Sequence, residues 1–333
     1  MKFNILLFIT FFNSYIFAQN IPKDTLQMEE AVITGTKTTT TQRTLPFGVT
    51  TVGKNTLEQS GKYNVLPVLS MQVPGLFVSQ RNIIGFGVSN GAAGRISIRG
   101  VSGDNYSPNT NVLVLMDGTP QYMGIFGHPL ADTYSSANAE RVEVIRGPAS
   151  FLYGSNAMGG VINIITKQQK EDGFHGNINA SYGSFNTQTY SANLNYKFKK
   201  FYINAATSYD KTDGYRDSSE FNSQSAFVKM GYQINKIFNI SADYNYTTFE
   251  ASDTLLGKNN FKIDISRQKL GLNLDNRTEK LEGGMKLYFN KGHNDLSDGW
   301  KSDDNQLGIS LFETVKLFKN NSLTVGLDGK QIS

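Results

Sequence analysis

The chain contains residue types that could do chemistry, but not in the patterns that catalysis requires. Residues 87–91, Gly-Val-Ser-Asn-Gly, match the G-x-S-x-G pattern of serine hydrolases. That motif needs a strand before the serine and a helix after it, whereas here it runs into a predicted strand at 95–99. His128, His175 and His293 are far apart and lack the spacing of a zinc site. We therefore predict that the protein is not an enzyme and needs no cofactor.

Two weaker patterns concern metals. Met123 and His128 are five positions apart and offer soft ligands of the kind that copper prefers, but a loop methionine and a loop histidine without further ligands are the simpler interpretation. Asp298, Asp303 and Asp304 lack the spacing of a calcium loop. No metal site is predicted.

Composition limits the function classes. The 333 residues carry a net charge of +4, too small to indicate a nucleic-acid partner. There is no cysteine, so neither disulfides nor thiol chemistry is expected. The 32 glycines, 16 tyrosines and 22 phenylalanines favour turn-rich, aromatic β structure.

The N-terminus has the features of a secretory signal peptide. A lysine at position 2 precedes an apolar core at 5–12, and Ile16-Phe17-Ala18 is a suitable cleavage site. We assign residues 1–18 to a signal peptide. An N-terminal anchor is the alternative, but the apolar core is short for one.

Beyond residue 173 polar and apolar residues alternate with period two, which places the apolar side chains on one face of each strand. The pattern predicts nine strands, at 174–182, 188–198, 201–209, 223–235, 237–249, 265–275, 282–290, 305–317 and 322–331. Tight connections at 199–200, 235–236 and 318–321 oppose long polar ones at 210–222, 250–264 and 291–304. Short turns at one end, long loops at the other and an aromatic apolar face are typical of a membrane β-barrel with its long loops outward.

Residues 44–168 have a mixed pattern that predicts a small α+β domain. Asn55 and Glu58 resemble a helix-start box, and Asn64 opens a second helix. The apolar run 112–116 predicts a strand that Asp117-Gly118 ends. Further strands are expected at 142–145 and 161–165, with a helical segment at 148–153 between them.

Residues 19–43 form a polar linker with too little apolar surface to fold alone. It contains one β-prone patch, Glu30, Ala31, Val32, Ile33, Thr34 and Gly35. Such a patch can add as a strand to the exposed sheet edge of a partner. The alternative is that it forms the first strand of the domain that follows.

Three stretches carry a resemblance to a known family: Arg99-Gly100, residues 111–120 (NVLVLMDGTP), and residues 140–166, which begin ERVEVIRGP and end YGSNAMGGVINIIT. On these motifs the chain resembles the TonB-dependent receptors of the bacterial outer membrane. The resemblance implies that residues 44–168 are the plug domain, that 169–333 belong to the transmembrane barrel, and that the patch at 30–35 is the TonB box.

The resemblance also implies a barrel of about 22 strands around the plug. Nine strands are too few to enclose a domain of this size, because barrel diameter grows with strand number. The chain also ends within a predicted strand at Ser333. We therefore expect a partial membrane β-barrel, about nine antiparallel strands of about 22, with an N-terminal α+β plug domain.

The implied function is TonB-dependent import of a scarce, large nutrient across the outer membrane. The partners would be TonB, energised by the inner-membrane proton motive force, the nutrient ligand and outer-membrane lipid, with no nucleic acid. The short linker leaves no room for the extra domain of glycan importers, which favours a siderophore, haem, cobalamin or metal chelate.

Outward plug loops are expected to bind this ligand through Tyr106, Tyr122, Met123, Phe126, His128 and Tyr134. Local packing is the alternative for each of them. The plug is expected to contact the barrel wall through polar, hydrated contacts that involve Arg99, Glu140, Arg141, Glu143 and Arg146. For these charges, exposure to solvent is the alternative.

Two other function classes remain open. An outer-membrane receptor or adhesin without transport would not need the patch at 30–35, and a signal transducer would carry an extra domain before it. An enzyme finds no support in the residue patterns. Uptake that depends on the proton motive force would separate the first hypothesis from both.

Overall fold

The structure is a computed structural model that describes residues 31–32, 37, 40–41, 45, 47–89, 92–103, 109–124, 127–255, 258–318 and 321–333. The predicted signal peptide, four residues of the linker patch (Glu30, Ile33, Thr34 and Gly35) and the predicted ligand contacts Tyr106 and Phe126 lie outside these residues. Within the described ranges, no helix has the length and apolar character needed to cross a membrane.

The described residues of the N-terminal part form eleven strands and three short α-helices. In chain order they are β1 (Ala31–Val32), β2 (Thr40–Thr41), β3 (Val49–Gly53), α1 (Lys54–Gln59), α2 (Val65–Gln72), β4 (Leu76–Val78), β5 (Val88–Ser89), β6 (Ala92–Ala93), β7 (Ile96–Ile98), β8 (Val112–Met116), β9 (Thr119–Pro120), β10 (Ala139–Arg146), α3 (Ser150–Tyr153) and β11 (Gly160–Thr166). The central sheet has the strand order β3-β10-β11-β8-β9. Its β8–β11 pair is parallel and the other pairs are antiparallel.

Local sequence explains most of these elements. All five residues of β8 are buried, as a continuous apolar run in a covered sheet requires. The side chain of Asn64 accepts a hydrogen bond from the Leu66 amide at 2.9 Å and so caps α2. The expectation for α1 was wrong in detail, because Gly53 occupies its N-cap and makes no side-chain hydrogen bond. The helix starts directly from the end of β3, which leaves Asn55 inside it.

The C-terminal part is one sheet of nine antiparallel strands in sequence order. They are β12 (Gly173–Gly183), β13 (Thr187–Phe198), β14 (Phe201–Thr212), β15 (Phe221–Gln233), β16 (Phe238–Leu255), β17 (Lys258–Arg277), β18 (Leu281–Leu296), β19 (Lys301–Phe318) and β20 (Asn321–Ile332). The nine predicted strands are confirmed, and so is the fold class of a plug domain followed by part of a barrel-type sheet. In the described sheet, β12 and β20 are the two edges.

The long loops predicted from the sequence are mostly strand. Between β14 and β15 the connection covers only 213–220, and between β18 and β19 only 297–300. The strands β16 and β17 pair almost to their tip, from Phe238↔Asn276 to Leu255↔Lys258. Beyond the lipid-facing apolar band the apolar side chains change face: Phe249, Ile263 and Ile265 are buried on the inward face, while Lys262 and Asp264 are exposed. The strand pattern of the band is therefore not continued in the sequence although the backbone hydrogen bonds continue.

The two faces of the nine-stranded sheet differ as the alternation predicts. One face exposes large apolar side chains, among them Phe198, Met230 and Tyr232. The other face carries buried polar side chains such as Asp243 and Lys269, and the plug domain packs on this face. We call the end of the sheet with the 213–220 connection the outer end and the end with the 199–200 turn the inner end, because short turns face the periplasm in barrels of this kind.

Candidate functional site

The plug meets the sheet first through an apolar contact near the outer end. Its sheet residues are Phe221, Phe249, Ile263, Ile265 and Leu296, all buried in one cluster with Tyr63 and Phe86 of the plug. They form neighbouring positions on four strands, since Phe249 pairs with Ile265 and Ile263 pairs with Leu296. We call this set the outer contact.

Phe221 is the centre of the outer contact. Its ring lies 5.9 Å from that of Tyr63 and 6.5 Å from that of Phe249. A Cβ atom at Gly85 would lie 2.5 Å from the Phe221 ring, and Gly85 also has a φ of +81°. Glycine is therefore required at 85 for two reasons, the left-handed backbone and the close approach of the ring.

A second contact, nearer the middle of the sheet, is charged. The carboxylate of Asp117, in the turn between β8 and β9, lies 2.8 Å from the Lys229 ammonium on β15. Lys286 donates to the Asp117 carbonyl, and Lys269 donates to the Met116 carbonyl at 3.3 Å. Three lysines of the nine-stranded sheet, which we call the wall, thus converge on one turn of the plug. We call this set the lysine contact.

The lysine contact keeps Asp117 ionised. Burial by itself raises the pKa of this carboxyl group. The ammonium of Lys229 and hydrogen bonds from Lys229 and Thr166 outweigh burial, so the pKa of Asp117 lies well below its ordinary value. The charged form is therefore present throughout the physiological pH range.

An Arg267–Asp304 pair extends this polar region toward the outer end. Arg267 Nη2 donates to Asp304 Oδ1 at 2.8 Å and to the Tyr122 carbonyl of the plug at 3.2 Å. Asp304 Oδ1 also accepts from the Gly124 amide at 2.8 Å. The pair spans β18, where a Cβ atom at Gly292 would lie 1.6 Å from Arg267 Nη1. Only a glycine at that position lets the guanidinium cross to Asp304.

The expectation of a wholly polar interface was therefore wrong in part. The inward residues of the sheet are mainly polar, but the outer contact is apolar and continuous with the core of the plug. Burial of the strand ends beneath the plug explains the difference, because apolar side chains at 221, 249, 263 and 265 gain from removal from water there.

A junction of charges lies beside the outer contact and faces outward. Asp253 on β16 is fully buried and pairs with Arg81 of the plug at 3.3 Å and with Arg216 of the 213–220 connection at 3.4 Å. Its carboxylate also accepts from the Val88 amide at 3.3 Å. The two arginine side chains are 34% and 37% exposed, so both guanidinium groups reach the surface. Tyr215 lies 5.0 Å from the Arg216 guanidinium and is exposed.

The described residues among the predicted ligand contacts are buried against the wall. Tyr122 accepts hydrogen bonds from Gln306 at 3.1 Å and from Lys330 at 2.8 Å, and it lines a cavity of about 380 Å³ between the plug and β18–β20. Met123 and Tyr134 belong to the plug core. His128 is buried, and burial, followed by the charge of Arg267, lowers its pKa to about 4. The structure brings these four residues to the plug–wall side rather than to an outward surface; their part in ligand binding stays a prediction.

The residues predicted to contact the wall make contacts within the plug. Arg141 Nε lies 2.9 Å from Glu143 Oε1 on the same strand. The Arg99 amide donates to the Gly75 carbonyl, and its side chain is exposed. Arg146 pairs with Gly48 through its backbone amide, and Glu140 is half-buried. A role in plug–barrel contact stays a prediction for all five.

Sequence reasoning did not find Arg216, Asp253 or the lysine contact. Asp253 and Arg216 are isolated charges in stretches that the sequence analysis interprets as long polar loops. The alternation offered one usable signal: Lys229 and Lys269 are charges in the inward phase of their strands, where nothing but a partner can compensate them.

The buried acid Asp132 connects residues 85 and 86 of the plug with Tyr63 through hydrogen bonds. Asp132 Oδ1 accepts from the Tyr63 hydroxyl at 3.2 Å and from the Phe86 amide at 3.3 Å, and the same hydroxyl accepts from the Gly85 amide at 2.9 Å. Burial raises the pKa of Asp132 to about 7, against the lowering effect of these hydrogen bonds. The described residues include no cluster of three or more acidic, histidine or cysteine side chains able to hold a metal ion.

Comparison with known proteins shows which proteins share this fold. Residues 41–161 match the model of the TonB-dependent Receptor Plug Domain. The solved ferric yersiniabactin uptake receptor FyuA from Yersinia pestis superposes with a TM-score of 0.70 at 19% identity, over 86% of this chain and 48% of that one. The ferripyoverdine receptor of the Pseudomonas aeruginosa outer membrane gives 0.71 at 16% identity, over 91% and 44%. The copper transporter OprC gives 0.69 at 18% identity, over 85% and 46%.

The fold is that of the TonB-dependent receptors, plug domain first and antiparallel sheet second. The match of residues 41–161 to the plug-domain model confirms the resemblance inferred from the sequence and the expected outer-membrane location. The chain spans about half the length of the solved receptors that it matches.

Proposed function

We propose that the protein takes part in TonB-dependent import of an anionic metal chelate of the siderophore class across the outer membrane. One observation carries this proposal: the plug domain is seated on the polar face of a sheet whose opposite face is apolar and exposed. A sheet with one lipid-facing side and a separate domain on its polar side has the arrangement expected of a transmembrane barrel that is closed by a plug. The wall supplies passage and the plug supplies the barrier.

The energy for import through such a barrel must come from outside the outer membrane, that is, from the proton motive force of the inner membrane. The linker patch at 30–35 supports a role as the attachment point for TonB, because a β-prone segment on a polar tether suits strand addition. In the structure Ala31–Val32 pairs with Thr40–Thr41, so part of the patch already forms a short hairpin. Capture by a partner would exchange these two residue pairs for a longer strand pairing.

The outward junction supports an anionic substrate. Two guanidinium groups share the carboxylate of Asp253, and both are about one third exposed. Guanidinium groups bind carboxylate and similar planar oxygen ligands through paired hydrogen bonds. Tyr215 adds an exposed aromatic ring beside them. Two of the structural relatives are a ferric yersiniabactin uptake receptor and a ferripyoverdine receptor, which is in line with a ferric chelate here.

Deletion of residues 30–35 in the full-length receptor tests the import role. We expect energised uptake of the chelate to be lost while its binding to whole cells is unchanged, because the deletion removes the energy coupling and not the ligand site. A deletion of equal length at 19–24 is the matched control and should transport normally.

Three results would count against import. Loss of binding in the 30–35 deletion would show that the patch serves the ligand site. Uptake that persists after the proton motive force is collapsed would remove the need for TonB. Binding without any energised uptake in the wild-type receptor would favour the alternative, a receptor that does not transport.

Charge reversal at the junction tests the substrate class. We expect Arg81→Glu with Arg216→Glu to weaken binding of a ferric siderophore by roughly 100-fold or more, since two charge-assisted contacts are removed and two repulsive charges added. Lys301→Glu, at an exposed outward position of the same end, is the control and should bind normally. Tight binding of a cationic or neutral chelate by the wild type would overturn the assignment.

A further inference from the structure

The inner end of the sheet carries a basic patch on the turns that follow β13 and β15. It consists of Lys199, Lys200 and Lys236. The side chain of Lys200 donates to the Ile234 carbonyl at 2.8 Å and so joins the two turns. Residues 173–209 and 221–242 contain no aspartate or glutamate. The Asp172 carboxylate accepts from the Lys199 backbone amide at 3.1 Å.

A row of apolar side chains lies directly beside this patch on the lipid-facing side of the sheet. Phe198 pairs with Phe201, Phe201 with Tyr232, and Tyr232 with Ile240, so the four side chains are neighbours across four strands. All four are exposed, Phe198 by 55%. The Lys199 ammonium lies 5.1 Å from the centre of the Phe198 ring. Ammonium groups therefore stand at the edge of a lipid-facing aromatic surface.

The lipid-facing side of the outer end carries both signs of charge. Glu250 lies directly opposite Asp264, and Asp264 directly opposite Asp295, while Lys301 pairs with Asp295 at 2.6 Å. The inner turns after β13 and β15, by contrast, carry lysines beside strand segments without aspartate or glutamate. Recognition of anionic headgroups in one leaflet would account for this local excess of positive charge.

We propose that the inner basic patch is a binding site for the headgroup of an anionic phospholipid in the inner leaflet of the outer membrane. The lysines contact the phosphate groups, and the acyl chains lie on Phe198, Phe201 and Tyr232. Lysines at a membrane boundary attract anionic lipid in this way, and long side chains extend along apolar surface to reach the headgroups. A soluble acidic protein would match the charge but would not require the adjoining apolar row.

The experiment compares lipid selectivity in the full-length receptor. The wild type, the triple variant Lys199→Gln/Lys200→Gln/Lys236→Gln and an outer-rim control, Lys211→Gln/Lys262→Gln/Lys301→Gln, are reconstituted in phosphatidylcholine bilayers. Spin-labelled phosphatidylglycerol and phosphatidylcholine report the relative association of each lipid with the protein. We expect a preference for phosphatidylglycerol in the wild type and the control, reduced by roughly tenfold in the triple variant.

Further arms identify the occupant. Lys199→Arg/Lys200→Arg/Lys236→Arg should keep the preference, because charge and turn length are retained. Glycerol phosphate at the concentration of the lipid should not compete, since it lacks the acyl chains. Equal selectivity in wild type and triple variant, competition by glycerol phosphate, or loss of an acidic protein partner with unchanged lipid selectivity would each overturn the proposal.

Discussion

The outer contact and the lysine contact hold the same plug to the same wall by different physics. At the outer contact Phe221, Phe249 and Ile265 are removed from water together with Tyr63 of the plug. At the lysine contact Asp117 meets Lys229 and Lys286, and Lys269 donates to the neighbouring Met116 carbonyl. Apolar burial gains free energy in proportion to the area removed from water. A buried ion pair gains little net free energy, because the cost of removing two charges from water offsets their attraction.

This difference assigns the two contacts different tasks. The outer contact supplies most of the stability of the seated plug and excludes water beside the outward junction. The lysine contact fixes the position of the Asp117 turn, because hydrogen bonds depend on the distance and direction between donor and acceptor. A plug that must move is better held by polar contacts such as the lysine contact. Water can replace the partners of ammonium and carboxylate groups one at a time, whereas separation of an apolar interface loses the free energy of burial over its whole area.

Truncation of Phe221 should have the largest effect on the free energy of plug opening. Phe221→Ala leaves a cavity against Tyr63 and Gly85, and we expect the free energy of plug opening to fall by about 3–5 kcal/mol. Hydrogen exchange of the plug amides in the full-length receptor measures that opening. Phe198→Ala, on the lipid-facing side, is the control and should change it little. Equal effects of the two substitutions would mean that the outer contact does not hold the plug.

Removal of the Asp117 charge comes next. Asp117→Asn leaves the Lys229 ammonium partly buried without its partner, and we expect a loss of about 2–4 kcal/mol in the same measurement. Lys229→Gln in the Asp117→Asn background should recover much of that loss, as the uncompensated charge disappears. Because the pKa of Asp117 is held below its ordinary range, the wild-type contact should not weaken between about pH 5 and pH 8. An additive double variant would show that the pair is not coupled.

The smallest expected effect concerns Asp132, which lies beneath the outer contact. Its pKa in the folded plug is about 7, above the value of about 3.9 expected in an unfolded chain. Between these pH values the folded plug binds more protons than the unfolded plug, so stability falls as the pH rises from about 4 to about 7. Asp132→Asn should remove this dependence and stabilise the plug at pH 8 by on the order of 1–3 kcal/mol.

Urea-induced opening of the plug, followed at about pH 5.5 and pH 8, checks the Asp132 prediction. Glu171→Gln, an exposed acid in the connection to β12, is the control and should keep the wild-type pH dependence. An Asp132→Asn variant that is less stable than wild type at pH 8 would show that its carboxylate is charged and stabilising there.

Much of the architecture could be predicted from local patterns. The alternation in residues 188–198 and 223–235 sets which side chains point outward, and the structure exposes Phe198 and Tyr232 as expected. Asn64 was identified as a helix cap because its side chain satisfies an amide of its own chain segment. The strand ends at 250–264 are not predicted, because the apolar side chains change from the outward to the inward face there and the outward residues become polar.

The site was predictable only in part, because its residues come from distant segments. Tyr122, Met123, His128 and Tyr134 were selected as a loop, yet the wall buries them. Arg81, Arg216 and Asp253 lie up to 172 positions apart and no spacing rule connects them. Their proximity exists only once the plug is seated on the sheet.

The sequence by itself determined the two-part organisation, the nine strands and the lipid-facing side, because side-chain alternation and turn residues act within a few positions of the chain. The tertiary structure decided which charges are paired and where the interface is apolar. Burial and Coulomb attraction depend on what the rest of the chain places within a few ångströms, and Asp117 meets Lys229 across 112 positions.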